Sequence, residues 1–242
     1  LEGLLALAHR APALDAAPMA LPKPAAGRPR IAVAKDNAFC FYYADALRLL
    51  ERLGAELVEF SPLQDTRLPE GSAGLYLGGG YPELYARELS ENTAMLESVR
   101  KAVRGGMPTI AECGGFLYLH DTLEDGQGTP RPMAGVIQAP ATRTDRLRRF
   151  GYVTLTAQRE GLLGPAGTAL PAHEFHYWES GAPGADFHAQ KPKSERGWDC
   201  AYHTETMYAG FPHFHLCAAP DAAARYVAKC AEYDFEKKKG IP

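Results

Sequence analysis

The 242-residue chain reads as an α/β protein with a doubly wound, mostly parallel sheet flanked by helices. Three observations predict this. From Arg30 onward, short apolar runs alternate with stretches whose apolar residues recur at helical spacing. Two of those runs end in glycine-rich turns, Gly78-Gly79-Gly80 and Cys113-Gly114-Gly115, where a parallel sheet gathers its functional groups. A hydrophobic content of 46% supplies the core that such a sheet needs on both faces.

Residues 1–29 carry five prolines and much alanine, which exclude a long helix or a paired strand. They read as an interdomain linker preceded by a helical remnant, Leu1 to His9, of a preceding domain. The first residue is not Met, and the chain is expected to be the C-terminal part of a longer protein. The ordered unit is expected over 30–233, with 234–242 as a solvated tail.

Ile31–Ala34 forms the first strand. Phe39–Leu53 is expected as a helix ended by Gly54, with Ala46, Leu49, Leu50 and Leu53 on one face. Ala55–Phe60 and Leu75–Leu77 are the next strands. Residues 92–104 form a helix stopped by Gly105-Gly106. The strand before Cys113 follows. In the second half, 135–139, 151–156, 173–178 and 207–215 read as strands and 186–199 as a polar loop. Asp221 is expected to cap a final helix reaching about Tyr233.

A net charge of −3 argues against a nucleic-acid or anionic-membrane partner, and no apolar run has the length of a membrane span. No signal peptide is visible. The five cysteines form no C-x-x-C pair, which fits neither a disulfide framework nor a cysteine zinc site. A reducing, cytoplasmic setting is the simplest expectation.

The chemistry centres on Cys113. A buried strand, a reactive side chain, two glycines and a helix is the order a nucleophile elbow requires. The helix N-terminus is expected to lower the thiol pKa and favour thiolate. A buried structural cysteine is the alternative. A cysteine nucleophile needs a base, usually histidine. His120 falls at the end of the following helix, where a cation is favourable and a structural role is expected. Two pairs remain, His173/His176 and His213/His215. A metal at His213 and His215 lacks a third ligand at a persuasive spacing, and His173-Glu174-Phe175-His176 is not H-E-x-x-H, so no metal is assigned. Gly78–Gly80 lacks the ending of a phosphate loop, but its N–H groups suit an oxyanion. Arg143, Arg146, Arg148 and Arg149 suit an acidic ligand, a partner domain or a solvated loop.

Taken together, Gly78-Gly-Gly-Tyr-Pro-Glu83, Ala111-Glu-Cys-Gly-Gly115, Arg149-Phe-Gly-Tyr152, His173-Glu-Phe-His-Tyr177 and His213-x-His215 resemble, in this order, the C-terminal class I glutamine amidotransferase domain of the cobyrinate a,c-diamide synthases. The likeness runs from about Arg30 to Ala231. It implies that Cys113 attacks the side-chain amide of glutamine and that His213 is the base. Gly79, Gly80 and Gly114 would hold the oxyanion. It further implies an N-terminal synthetase domain, absent from this chain, that uses ATP and Mg²⁺ to amidate the a and c carboxylates of a cobyrinate-type tetrapyrrole. This domain itself would carry no cofactor. Hydrogenobyrinate and Ni-sirohydrochlorin are the alternative acceptors, and an idle docking domain is the alternative role. Three departures from the family pattern stand out. His215 occupies the position of the carboxylate that orients the base in related enzymes: either the pair works without an acidic third member, as the resemblance implies, or Glu174 or another carboxylate substitutes, and His215, Glu174 and His176 are the candidate supporting residues. Trp178 replaces a small hydroxyl residue, and Gly210-Phe-Pro212 replaces the usual lead-in to His213.

Overall fold

The computed structural model describes residues 1–15, 17 and 20–240; Ala16, Pro18 and Met19 of the expected linker and the last two residues of the expected tail lie outside them. Helix α1 (Glu2–His9) buries none of its residues. The first half then runs β1 (Arg30–Ala34), β2 (Phe39–Phe41), α2 (Ala44–Arg52), β3 (Glu56–Phe60), β4 (Ser72–Leu77), β5 (Gly79–Gly80), α3 (Ala86–Glu91), α4 (Thr93–Arg104), β6 (Thr109–Glu112) and α5 (Gly114–Tyr118). The second half is richer in strands: β7 (His120–Glu124), β8 (Pro130–Pro132), β9 (Ile137–Arg143), β10 (Arg149–Ala157), β11 (Ala169–His176), β12 (Trp178–Ser180), β13 (Phe187–Gln190), β14 (Gly197–Cys200), β15 (Tyr202–His203), β16 (Met207–Gly210) and β17 (His213–Phe214). Helix α6 (Pro220–Lys239) closes the chain.

The central sheet is ordered β15-β16-β6-β4-β1-β3. Its pairings are parallel apart from the edge pair β15·β16. Alternation within β1 explains why both faces are covered. Ile31 and Val33 pack with Leu49, Leu50, Tyr226 and Val227 on one side. Ala32 and Ala34 pack with Val99, Met95 and Phe116 on the other. A second, antiparallel sheet, β14-β13-β10-β11-β17, lies over the first of these cores through Val153, Leu155, Leu170 and Phe187. A third, β12-β9-β7-β8, extends the other core through Leu123, Ile137 and Ala141. No helix among the described residues is long and apolar enough to cross a membrane.

Several boundaries differ from expectation. The helix expected over Phe39–Leu53 starts only at Ala44, because Phe39 and Phe41 pair instead with Gly80 and Gly79. The segment 186–199 is not a loop: Phe187 and Ala189 alternate inward, and β13 pairs with β14. Asp221 does not cap α6, whose N-cap is Ala219 with Pro220 at the first helical position. The final helix does not stop near Tyr233. Helix α6 continues to Lys239, supported by an Asp234–Lys238 ion pair and by three lysines at its negative end.

Helix α6 is keyed to the sheet by one buried hydrogen bond, the Tyr226 hydroxyl donating to the Leu75 carbonyl at 2.9 Å. Tyr226→Phe should cost about 1 kcal/mol of stability, seen as a lower urea midpoint at unchanged slope.

Candidate active site

Strand β6 is wholly buried and ends at Glu112. Cys113 then adopts φ 48° and ψ −98°, a strained conformation for a residue with a Cβ. Three backbone hydrogen bonds hold it there. Cys113 N–H donates to Gly210 O at 2.8 Å, Gly115 N–H to Gly78 O at 3.0 Å, and Leu117 N–H to Cys113 O at 2.9 Å. A Cβ at Gly115 would lie 2.1 Å from the Leu77 carbonyl oxygen, so only glycine lets α5 start this close to β4.

The other candidate segments converge on this elbow. A Cβ at Gly114 would meet the Gly80 nitrogen at 3.0 Å. A Cβ at Gly79 would meet Cε1 of His213 at 2.3 Å, so the imidazole lies directly on the glycine backbone. His213 opens β17, which pairs with β11 so that His213 stands opposite His173. His173 and His213 face a cavity of about 430 Å³ whose wall also includes Phe41, Tyr43, Glu112 and Phe175. Cys113 sits behind that wall, 8% exposed, with Sγ 4.0 Å from the Phe175 carbonyl oxygen.

The electrostatics overturn one expectation. The Cys113 thiol is not held as thiolate. Burial pushes its pKa up to about 12, and the charges of Glu83, Glu112 and Glu174 add to the rise. The Gly114 N–H opposes them, but a helix of five residues offers too little to prevail. Burial lowers His213 to about 4, helped by His173 and His176. At neutral pH the pair is therefore a neutral thiol and a neutral imidazole.

Glu112 was not singled out by its sequence, and the structure gives it a central place. It is 2% exposed. Oε2 accepts from the Tyr76 hydroxyl at 2.9 Å, and Oε1 accepts from the Phe214 N–H at 3.0 Å. The residue before Cys113 thus anchors the residue after His213. Burial raises its pKa to about 7. Glu83, in the 3-10 turn Pro82–Tyr85 after the glycines, is likewise raised to about 7 by burial.

The remaining candidates divide. His176 is fixed behind the elbow: its ring stacks on Phe211 at 3.8 Å, and Nδ1 contacts the Trp178 carbonyl oxygen at 2.7 Å. Glu174 is 2% exposed and lies 3.7 Å from His176 Nε2, with Oε2 lacking a partner. His215 contacts neither; it pairs with Asp45 at 3.2 Å. Among the described residues no hydrogen bond reaches the His213 ring, so neither His215 nor Glu174 orients it directly. His120 does not end the helix as a cation. It opens β7, fully buried, and burial lowers its pKa to about 4. Its nitrogens meet Phe116 O at 2.8 Å and Ser180 Oγ at 2.6 Å. The unusual Gly210–Pro212 lead-in has a use: Gly210 accepts the Cys113 N–H, and Phe211 carries His176.

Residues 30–220 match the CobB/CobQ-like glutamine amidotransferase domain. The chain belongs to that family. It is 40% identical over 206 residues to a cobyrinate a,c-diamide synthase of Caldanaerobacter subterraneus, covering 84% of this chain and 46% of that relative. To the enzyme of the same name from Salmonella typhimurium it is 40% identical over 202 residues, covering 82% and 44%. The chain thus spans about half the length of the curated relatives it matches. Among solved structures, a glutamine amidotransferase matches with TM-score 0.52 at 19% identity, covering 84% of this chain and 98% of its own. PurLQS from Thermotoga maritima matches with TM-score 0.53 at 14% identity, covering 88% and 100%. These establish the amidotransferase fold.

Two measurements follow for the amidotransferase domain. Cys113 should react with iodoacetamide at pH 8 far more slowly than an ordinary cysteine, because about three pKa units leave roughly a thousandth of the thiolate. Mass-spectrometric labelling rates check this. Glu112 titrates near 7 folded against 4.5 unfolded, so its contribution favours folding at low pH and is lost as pH rises through about 7. Glu112→Gln should therefore gain stability relative to the parent between pH 5 and pH 8. Urea unfolding at both values reads this, and an unchanged gap would contradict it.

Proposed function

We propose that this domain hydrolyses glutamine through a thioester on Cys113, with His213 as base, and delivers the ammonia to a synthetase domain. The observation that carries the reading is the convergence of the Cys113 elbow, the Gly79–Gly80 turn and His213 beside one cavity. Glutamine's carboxamide enters. As Sγ bonds to the carbonyl carbon, the thiol proton passes to neutral His213, and the oxygen takes up the negative charge. The N–H groups of Gly79, Gly80 and Gly114 receive that charge. Collapse breaks the C–N bond while His213 returns its proton to the departing nitrogen, and ammonia leaves. His213 then takes a proton from water, which hydrolyses the thioester and restores the thiol. Held near 4, the His213 ring is unprotonated at neutral pH before glutamine enters. Glu112 positions it through Phe214, while Glu174 and His176 back the elbow.

The acceptor reading extends from the relatives. Their name is cobyrinate a,c-diamide synthase, and they are about twice as long as this chain. The proposed partner is an N-terminal domain that binds ATP and Mg²⁺ and activates the a and c carboxylates of cobyrinate, a step of cobalamin biosynthesis. Two surface features suit that partnership. Phe41, Tyr43, Tyr81, Phe150, Tyr152, Phe175 and Tyr177 are exposed large aromatics, and several flank the cavity. An exposed apolar rim of this kind marks a docking face. Nearby, Arg146, Arg148, Arg149 and Arg196 line a cavity of about 410 Å³ that suits a polycarboxylate. Arg148 pairs with Glu179, and Arg149 lies over Trp198 at 4.1 Å.

In the full-length enzyme, Cys113→Ala should lower glutamine-dependent amidation at least about 10³-fold and leave ammonia-dependent amidation intact. Initial rates with each nitrogen donor measure this, and retained glutamine hydrolysis would refute the assignment. Rates with cobyrinate, hydrogenobyrinate and Ni-sirohydrochlorin identify the acceptor.

A further inference from the structure

We propose that Asp45, His215 and Cys217 form a binding site for a divalent cation of the Zn²⁺ class, outside the catalytic cavity. Asp45 lies in the first turn of α2, and Cys217 lies in the 3-10 turn Leu216–Ala218 that follows β17. One donor atom from each residue falls within 4.8 Å of the other two. The His215 Nε2 to Asp45 Oδ2 separation is 3.2 Å. Donors around tetrahedral zinc stand about 3.3–3.8 Å apart. The His–Asp pair already has nearly that span, and the partly exposed Cys217, within 4.8 Å of both, closes the rest through its side chain. Tyr43 sets its ring edge-on to His215, centroids 4.7 Å apart, and holds the imidazole in place.

The donor set selects the ion. One nitrogen, one sulfur and one carboxylate oxygen suit a borderline cation, whereas Mg²⁺ and Ca²⁺ take oxygen ligands. A thiolate and a carboxylate together neutralise a dication, which offsets the nearby charges of Arg48 and Arg52 in part. Binding releases the thiol proton to solvent. Solvent completes the fourth position, since Asp45 is exposed. His215 stands two residues after His213, and Tyr43 is shared with the cavity wall. A bound ion therefore staples the segment carrying the proposed base to the start of α2.

The test uses the full chain carrying Cys113→Ala, so that the cavity thiol cannot supply a ligand. Titration with Co²⁺ should produce a thiolate-to-cobalt charge-transfer band that saturates at one ion per chain and is displaced by Zn²⁺. Cys217→Ser should abolish the band, and Asp45→Asn should weaken binding about tenfold or more. Absence of the band, or a band surviving Cys217→Ser, overturns the site. Should Cys217→Ser fail to fold, alkylation of the Cys113→Ala chain decides. Zn²⁺ should protect Cys217 and leave exposed Cys40 reactive, and equal labelling with and without Zn²⁺ overturns the proposal.

Discussion

The active-site architecture depends on one carboxylate. Glu112 ends the strand that delivers Cys113, and its two oxygens reach Tyr76 on β4 and the Phe214 N–H on β17. Strand β17 has only two residues, and its sheet pairing covers only Ala172–Phe214 and His173–His213. So short a strand has little of its own to fix its position. The buried bond from Glu112 spans 102 residues of sequence and sets where His213 lies relative to the elbow. Such a bond is strong because water is excluded, and leaving its N–H donor unpaired there costs more than the bond itself contributes.

Packing and electrostatics act together around that anchor. The Leu77 carbonyl against Gly115 and the His213 ring against Gly79 leave no room for a Cβ. The same closeness excludes water, which keeps both the thiol and the imidazole uncharged. The pair therefore rests as a neutral thiol beside a neutral imidazole, with no thiolate formed beforehand. Three carboxylates near the sulfur, Glu83, Glu112 and Glu174, reinforce this state.

Much of this was legible in the chain. The parallel first half follows from apolar runs alternating with amphipathic helices, and Cys113 stands out because an elbow is written in consecutive residues. What was illegible depends on distant partners. Glu112 looks like an ordinary strand residue until Phe214 is brought beside it. Phe39–Phe41 keeps helical-looking spacing but is captured by Gly79–Gly80, a tertiary override of local pattern. The thiolate expectation failed because it weighed a helix terminus without the burial that outweighs it. Residues 187–200 alternate too briefly for a period of two to be seen against polar neighbours. His215 held the place of an orienting carboxylate, yet it turns to Asp45, 170 residues away.

The covered elbow has a chemical consequence beyond turnover. Peroxide attacks thiolates and proceeds from sulfenic to irreversible sulfinic and sulfonic acids. A sulfur that is 8% exposed and protonated up to about pH 12 lies off that route. The Cys113 thiol is thus kept in its reduced form, with no resolving cysteine needed beside it.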